Sequence, residues 1–237
     1  MEAILLAGGL GTRLAGRLNG VPKPMAPIAG RPFLEILLGQ LHLAGCSRVL
    51  LSVGHLHSAI ESYFGSEFHG MQLKYVIEQE PLGTGGAIRA ALSHAAEESV
   101  LVLNGDTFLQ VTYAELLHTH AQTHASLTIA VARQENIARY GGVVLAENHV
   151  IGFEEKGRSG PGWINAGVYA LQRDFPWPKN LAGKFSFETD VLTAHVEQIA
   201  PAAYRTDGYF LDIGVPEDLD RAQTELASLA HKEIRAT

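Results

Sequence analysis

The chain has 237 residues, a formal net charge of -7 at pH 7, and 46% hydrophobic and 18% charged residues. This length and composition suit one α/β domain with a well-buried core. The negative charge argues against a general nucleic-acid-binding protein, because duplex binding favours a basic surface. A local cluster of Lys and Arg can still bind a phosphorylated small molecule.

Targeting signals are absent from the sequence pattern. The single cysteine, Cys46, excludes an intrachain disulfide and a cysteine-based zinc site. The apolar stretch at residues 1–7 is too short for a signal peptide. No apolar run approaches the roughly 20 residues of a membrane-spanning helix. We therefore expect a cytoplasmic protein with no membrane partner.

Strand-like and helical patterns alternate through the first half of the chain. In chain order they are a strand at 3–7, a helix at 33–44, a strand at 48–53, a helix at 57–64, a strand at 73–77, a helix at 84–95 and a strand at 99–103. This alternation predicts an α/β fold with a doubly wound, Rossmann-like, mostly parallel sheet and helices on both faces.

The pattern changes after about residue 125. Strand-like segments with short connections lie at 126–132, 141–146, 149–154 and 163–171. They predict a mixed, partly antiparallel extension of the sheet. A closing helix is expected at 216–232, with Pro216 in its first turn. We predict a single domain over 1–237 with two lobes, 1–125 and 126–237.

A glycine-rich loop, Gly8-Gly9-Leu10-Gly11-Thr12-Arg13-Leu14, follows the first strand. Ligands of parallel sheets bind beyond the carboxyl ends of strands, and glycine lets backbone N–H groups approach phosphate. Arg13 suits phosphate, and two flanking prolines predict that Lys23 extends from a stiff, extended segment. The missing third glycine argues against a dinucleotide oxidoreductase, and no GK[ST] follows Gly11. A simple glycine turn with surface charges is the alternative.

The motif A-G-G-x-G-T-R-L followed by P-K-P-M resembles the signature of the sugar-1-phosphate nucleotidyltransferases. The resemblance implies a nucleotide-diphospho-sugar transferase fold in which 1–125 binds nucleotide and 126–237 binds sugar. It implies catalytic roles for Arg13, Lys23 and Asp106. The implied nucleotide-binding residues are Leu6, Ala7, Gly8, Gly9, Gly11, Thr12, Arg13, Lys23, Glu78, Pro81, Gly83, Thr84, Asn104 and Asp106.

The segment from Glu78 to Ala87 ends a strand and begins a helix, with Thr84 as a candidate helix cap. It resembles the family's L-G-T-[AG]-G segment, which contacts the base. Relatives that use UTP or dTTP tend to have Gln at the position of Glu78. A carboxylate only accepts hydrogen bonds, and guanine offers two adjacent donors. Glu78 therefore predicts GTP.

Two aspartates complete the predicted reaction centre. The strand at 99–103 is followed by Asn104-Gly105-Asp106, and Asp212 lies in the segment Y-F-L-D-I-G. They match the family's paired aspartates, which bind Mg²⁺. The resemblance implies that Mg²⁺ would bridge phosphates and neutralise their charge. The sugar phosphate would then attack the α-phosphorus directly, and pyrophosphate would leave.

Segments Y-G-G-V, F-E-E-K and W-I-N-A-G-V-Y resemble the family's sugar-binding lobe. The implied sugar-binding residues are Gly105, Tyr140, Gly141, Glu155, Lys156, Asn165 and Asp212. The segment Phe185-Ser186-Phe187-Glu188 resembles one in heptose 1-phosphate guanylyltransferases.

The sequence thus predicts GTP and D-glycero-α-D-manno-heptose 1-phosphate as substrates. The alternatives are a mannose-1-phosphate guanylyltransferase and a uridylyltransferase for an amino-sugar or muramic acid 1-phosphate. A catalytically silent sugar-nucleotide sensor is the alternative from another class. The expected partners are these small molecules, and a homo-oligomer is left open.

Overall fold

The computed structural model describes residues 1–9, 11, 14–18, 20–54 and 56–234. The helices are α1 (Ala15–Leu18), α2 (Phe33–Leu43), α3 (His57–Phe64), α4 (Gly83–Leu92), α5 (Tyr113–Thr123), α6 (Ala194–Ile199) and α7 (Pro216–Ile234). A 3-10 turn covers Lys23–Met25, and a π-helical segment covers Phe187–Thr193. The strands are β1 (Glu2–Leu6), β2 (Pro27–Ile28), β3 (Arg31–Pro32), β4 (Arg48–Val53), β5 (Glu67–Phe68), β6 (Met71–Ile77), β7 (Ser99–Asn104), β8 (Thr107–Leu109), β9 (Leu127–Gln134), β10 (Gly142–Ala146), β11 (His149–Glu154), β12 (Gly162–Gln172), β13 (Ala202–Thr206) and β14 (Phe210–Asp212).

A ten-stranded sheet has the strand order β10-β11-β13-β9-β12-β7-β1-β4-β6-β5. Strands β6, β4, β1 and β7 are parallel. Strand β12 runs antiparallel to both β7 and β9, and β10 and β11 form an antiparallel pair. Strand β13 is parallel to β9 and antiparallel to β11. The predicted sheet, mostly parallel in its first part with a mixed, partly antiparallel extension, is confirmed.

Both faces of the central strands of the sheet are buried. Along β1, Ala3 and Leu5 point into one core and Ile4 points into the other, as expected when successive side chains alternate across a strand. Helices α2, α5 and α7 contribute to the first core, and α4 and the π-helical segment to the second. This double cover explains why the central strands are almost continuously apolar.

The closing helix begins as predicted. Pro216 starts α7, and Glu217 and Asp218 lie in its first turn, where negative charge is favourable near the helix N-terminus. Its buried residues Leu219 and Leu226 join the first core. Within the described part of the chain, no helix combines the length and apolarity needed to cross a membrane.

A buried ion pair connects β1 to β4 at the amino end of the central strands. Glu2 at the start of β1 is only 2% exposed, and its Oε1 lies 2.6 Å from Nη1 of Arg48 on β4. Its Oε2 accepts hydrogen bonds from the backbone N–H groups of Ala96 and Glu97, at 2.7 and 3.1 Å. The carboxylate therefore ties β1 to β4 and to the segment after α4.

The opposite end of the same strands contains the topological switch point. Strand β1 lies between β4 and β7, and Leu6 is in register with Ser52 on one side and Asn104 on the other. The chain continues from β4 to β6 in one direction and returns to β7 in the other. Ligands of open α/β sheets bind at the carboxyl ends of strands at such a point.

Candidate active site

The glycine loop after β1 packs closely against its neighbours. A Cβ atom on Gly8 would lie 2.9 Å from Glu78 Oε1 and 3.3 Å from Gly54 N. Gly11 has φ +58°, and a Cβ there would lie 2.9 Å from Lys23 Cβ. The loop therefore needs glycine at both positions because side chains would collide with other parts of the site. The predicted residues Thr12 and Arg13 lie outside the described residues.

Lys23 does not extend from the backbone in the way that we predicted. Pro22 is extended, with φ -64° and ψ 147°, but Lys23 begins a 3-10 turn whose N-cap is Pro22. The expectation of an extended Lys23 was wrong because the preference that Pro24 imposes on the residue before it is overridden by two turn hydrogen bonds, from Met25 N–H to Pro22 O at 2.8 Å and from Ala26 N–H to Lys23 O at 3.0 Å. Pro24 itself fits the first turn, where its missing N–H costs no hydrogen bond. The turn leaves Lys23 9% exposed.

The two predicted aspartates meet at this lysine. Strands β8 and β14 pair antiparallel and place Asp212 opposite Thr107, beside Asp106. Lys23 Nζ lies 2.5 Å from Asp106 Oδ2 and 4.0 Å from Asp212 Oδ1. Burial, and then the charge of Asp106, raises the pKa of Asp212, whereas Lys23 and an arginine, Arg139, lower it. Two carboxylates thus share one ammonium group.

A cavity of about 400 Å³ lies at the carboxyl ends of β1, β6 and β7. The predicted residues that line it are Leu6, Gly8, Gly9, Lys23, Glu78, Pro81, Gly83, Thr84, Asn104, Gly105 and Asp106. Gly105, predicted on the sugar side, therefore lies on this first cavity. Ala7, Gly11 and Asp212 are not among its lining residues.

Glu78 is held by two hydrogen bonds from the protein. Ser52 Oγ donates to its Oε1 at 3.1 Å, and the backbone N–H of Leu82 donates to its Oε2 at 2.9 Å. A carboxylate has about four lone-pair sites. Glu78 can therefore keep both contacts and still accept hydrogen bonds from a ligand in the first cavity.

Thr84 does not cap α4, contrary to the sequence expectation. The N-cap position is Leu82, and no side chain caps it. Thr84 Oγ1 instead donates to Glu188 Oε2 at 2.6 Å and accepts from the backbone N–H of Phe187 at 2.8 Å. The hydroxyl makes tertiary hydrogen bonds instead of the helix-end bond that the local sequence predicts.

The glycines around Thr84 make room for Phe185. A Cβ atom on Gly83 would lie 2.4 Å from Phe185 O, and one on Gly85 would lie 2.3 Å from Phe185 Cε2. The backbone N–H of Gly85 also donates to Phe185 O at 3.1 Å. Two segments that are far apart in sequence therefore form one wall of the first cavity.

A second cavity, of about 670 Å³, adjoins the first. The predicted residues that line it are Tyr140, Gly141, Glu155, Lys156 and Asn165. Asn104 and Glu188 line both cavities. The Asn104 Oδ1 atom is buried and has no hydrogen-bond partner within the described part of the protein, so a ligand at the junction could supply a donor.

Asn165 has a structural task besides facing the second cavity. Its Oδ1 accepts from the backbone N–H of Gly167 at 3.0 Å, and its Nδ2 donates to the buried hydroxyl of Tyr169 at 2.9 Å. The register of β12 with β9 shifts between Asn165 and Tyr169, and these hydrogen bonds hold the backbone at that irregularity. Gly167 has φ +67°, and a Cβ there would lie 2.6 Å from Asn104 Nδ2.

Comparison with known proteins identifies the family. The model of the nucleotidyl transferase family matches residues 2–228. The chain belongs to this family. Two D-glycero-alpha-D-manno-heptose 1-phosphate guanylyltransferases are similar to this nucleotidyl transferase. That of Aneurinibacillus thermoaerophilus is 44% identical over 95% of this chain and 98% of its own, and that of Campylobacter jejuni is 42% identical over 92% and 96%.

A solved structure is also close to this nucleotidyl transferase. HddC from Yersinia pseudotuberculosis, crystallised in complex with GMP-PN, superposes with a TM-score of 0.82 at 35% identity. The match covers 95% of this chain and 99% of HddC. The predicted family and fold are therefore confirmed.

Members of the family generally use a divalent metal ion, and the chemistry of the site suits one. Within the described residues there is no group of three or more His, Cys, Asp or Glu side chains that could hold a metal. The Asp106–Asp212 pair nevertheless already faces a cation, the ammonium group of Lys23, at 2.5 and 4.0 Å. Carboxylate oxygens are also the ligands that hard divalent ions prefer.

The structure adds cavity residues that the sequence reasoning did not select. In the first cavity of the nucleotidyl transferase these are Pro24, Ala87, Lys184 and Glu188. Glu188 lies in the F-S-F-E segment and Lys184 directly precedes it, so the resemblance of that segment was the available signal. That resemblance bears on the choice of sugar, whereas the contact of the segment with α4 depends on tertiary packing.

Proposed function

We propose that the protein transfers GMP from GTP to D-glycero-α-D-manno-heptose 1-phosphate, forming GDP-heptose and pyrophosphate. The similarity to two guanylyltransferases named for this sugar phosphate, across nearly the whole chain, supports the choice of substrates. The similarity to HddC, crystallised with GMP-PN, supports the choice of a guanine nucleotide.

The observation that carries the proposal is the junction of two cavities beside a charged cluster. Asn104 and Glu188 line both cavities, and Lys23 and Asp106 line the first. A nucleotide in the first cavity and a sugar phosphate in the second would meet at this junction. Bringing two reactants together in one orientation removes much of the entropic cost of a bimolecular reaction.

In the first cavity, we assign the base to Glu78 and the segment that follows it. The carboxylate is fixed by Ser52 and Leu82, so its free lone pairs have a set direction. Guanine N1–H and the N2 amino group are two adjacent donors for these lone pairs. Uracil would place carbonyl oxygens near the same carboxylate, which is repulsive.

At the junction, we assign the reacting phosphates to Lys23, with Asp106 and Asp212 as the residues that would hold Mg²⁺. A bound Mg²⁺ would neutralise phosphate charge and polarise phosphorus–oxygen bonds. An oxygen of the sugar phosphate attacks the α-phosphorus, and the bond to the pyrophosphate oxygen breaks. Lys23, released from Asp106, donates hydrogen bonds to phosphate oxygens as their charge redistributes. Arg13 is proposed to stabilise the leaving pyrophosphate.

In the second cavity, we assign the sugar to the loops that carry Tyr140–Gly141 and Glu155–Lys156. Glu155 can accept hydrogen bonds from sugar hydroxyls, and Lys156 can bind the sugar phosphate. We propose that residues 1–125 supply most of the nucleotide site and 126–237 most of the sugar site. Lys184 and Glu188 are exceptions, because they belong to residues 126–237 but line the first cavity. We also place the protein in the cytoplasm, as predicted from its sequence.

The proposal is tested by a matrix of nucleoside triphosphates and sugar 1-phosphates, with pyrophosphate release as the readout. GTP, UTP, CTP and dTTP are each combined with the heptose, mannose and N-acetylglucosamine 1-phosphates. The highest kcat/KM is expected for GTP with the heptose. A preference for mannose 1-phosphate supports the first alternative, and a preference for UTP rejects guanine recognition by Glu78. Binding without turnover of any pair supports a silent sensor.

A further inference from the structure

Arg139 lies outside both cavities, yet its guanidinium contacts three parts of the site. Its Nη1 bonds to Asp218 Oδ2 on α7. Its Nη2 lies 3.6 Å from Asp212 Oδ2 and 3.4 Å from the Asp212 backbone oxygen. Its Cζ lies 5.1 Å from the centre of the Tyr140 ring, which lines the second cavity. One side chain thus joins the aspartate pair, the sugar-side wall and the closing helix.

The backbone before Arg139 is held by hydrogen bonds, and its partner Asp218 is held by burial. The backbone N–H of Ile137 donates to Gly160 O at 3.1 Å, and that of Gly157 donates to Ala138 O at 2.7 Å. These bonds tie the loop before Tyr140 to the segment after Lys156. The Asp218 side chain is 6% exposed, so it holds the guanidinium from a buried position.

Arg139 is the nearer of two cations to the Asp212 carboxylate. Its distance is 3.6 Å, compared with 4.0 Å for Lys23 Nζ. Lys23 lies much closer to Asp106, at 2.5 Å, and is the group that faces the cavity. A lysine that turns toward phosphate leaves Asp212, and Arg139 then becomes its remaining cationic neighbour among the described residues.

We propose that Arg139 is a positioning residue that holds the Asp212 carboxylate in its reactive orientation and links that orientation to Tyr140 at the sugar cavity. The inference rests on the proposed function in its assignment of Asp212 and Tyr140. Residues that orient metal-binding carboxylates typically contribute 10- to 100-fold to metal affinity or activity. An effect of this size is therefore expected from Arg139.

Arg221 provides a matched control for Arg139. Its Nη1 bonds to the other oxygen of the same carboxylate, Asp218 Oδ1, at 3.0 Å, and it is similarly exposed, at 50% compared with 37%. No hydrogen bond, ion pair or ring contact among the described residues joins Arg221 to Asp212 or Tyr140; its other partner is Glu225, whose Oε2 lies 3.1 Å from Arg221 Nη2. Replacing either arginine therefore removes one ion pair from Asp218, whereas only Arg139→Gln removes the contacts to the site.

The test compares Arg139→Gln, Arg139→Lys and Arg221→Gln with the wild-type protein. Mn²⁺ alone is titrated into each metal-free protein and followed by electron paramagnetic resonance, and melting temperature and kcat are measured separately. We expect Arg139→Gln to weaken Mn²⁺ binding and to lower kcat, each by about 10- to 100-fold. Arg139→Lys should recover part of both losses, and Arg221→Gln should stay within about twofold of the wild type.

Two outcomes would overturn the inference. One is an Mn²⁺ affinity of Arg139→Gln that equals the wild-type value, and the other is an equal loss in Arg221→Gln. The Mn²⁺ titration is carried out without substrate, so it reports on Arg139 even if GTP or the heptose phosphate proves to be the wrong substrate. A failed substrate matrix with an intact Arg139 effect therefore rejects the proposed function alone.

Discussion

Both ends of the central parallel strands hold carboxylates, buried at the amino end and half-buried at the carboxyl end, and their contacts differ. At the amino end, Glu2 receives one guanidinium and two backbone N–H groups. At the carboxyl end, Asp106 and Asp212 share the ammonium group of Lys23, and Asp212 also lies 3.6 Å from the guanidinium of Arg139. The first arrangement is complete within the protein, whereas the second leaves carboxylate oxygens that can bind another cation.

The difference separates a stabilising pair from a reactive one. Removing one partner of a satisfied buried pair leaves an unpaired charge and lowers stability. At the carboxyl end, burial and the neighbouring Asp106 raise the pKa of Asp212 despite the nearby cations, so its charged form opposes folding. We therefore expect substitutions at the amino end to change stability and substitutions at the carboxyl end to change the reaction.

The largest effect is expected for Asp106→Asn. It removes the charge that lies nearest Lys23 and one of the two proposed Mg²⁺ ligands, so kcat should fall by at least about 1,000-fold, or about 4 kcal/mol of activation free energy. Steady-state kinetics with GTP and heptose 1-phosphate measure this. Asp174→Asn, in the exposed turn after β12, is the control and should retain wild-type kcat. Full activity of Asp106→Asn would contradict the assigned role.

The next effect is expected at the opposite end of the sheet. Glu2→Gln removes the charge that neutralises Arg48 and weakens the acceptor for Ala96 and Glu97, which should cost about 3 kcal/mol of unfolding free energy. The melting temperature should fall by roughly 6 to 12 °C, and kcat at 25 °C should not change. The exposed Glu98→Gln is the control for calorimetry. An equal fall in melting temperature for Glu2→Gln and Glu98→Gln would contradict a specific stabilising role for Glu2.

A smaller effect is expected at the base. Glu78→Gln replaces an acceptor for guanine with a group that can also donate, so kcat/KM for GTP should fall roughly 30-fold, or about 2 kcal/mol. ITP lacks the N2 amino group, and the preference for GTP over ITP should therefore shrink in the variant. Glu80→Gln, two residues away and exposed, should keep the wild-type ratio. An unchanged ratio in Glu78→Gln would exclude the proposed contact.

The smallest effect is expected for the stability of Asp212→Asn. The raised pKa of Asp212 means that the folded state binds its proton more tightly than the unfolded state. This stabilisation is present below the ordinary value of 3.8 and is lost as pH rises through the folded pKa. The melting temperature of the variant relative to wild type, measured in EDTA, should therefore be more favourable at pH 7.5 than at pH 4.

The exposed Asp207→Asn serves as the reference for that comparison. Its melting temperature should differ from wild type by about the same amount at both pH values. If Asp212→Asn behaves in the same way, the carboxyl end of the sheet carries no net electrostatic cost at Asp212.

Much of the fold followed from sequence because it depends on local pattern. Apolar runs such as 48–53 and the periodicity of 57–64 match β4 and α3 residue for residue. The central strands are buried on both faces, so they appear in the sequence as almost continuous apolar runs. The pairing of Asp106 with Asp212 came from resemblance to a family, because no local pattern brings residues so far apart together.

Other features could not be predicted because tertiary contacts decide them. The hydroxyl of Thr84 bonds to Glu188 and Phe187, although its local sequence favours a helix cap. Arg139 belongs to no motif, and its partner Asp218 looks like an ordinary acidic residue in the first turn of a helix. Lys184 lines the first cavity next to Phe185, which packs on the start of α4.

The packing of Phe185 against Gly83 and Gly85 also sets a rule for protein engineering. Backbone of one segment touches backbone of the other, with no space for even a methyl group, so their substitutions should couple strongly. A graft that carries the L-G-T-G-G segment of a relative with another base preference should fail alone. Such a graft needs the 183–188 segment of the same donor, and the two segments should be exchanged as one unit.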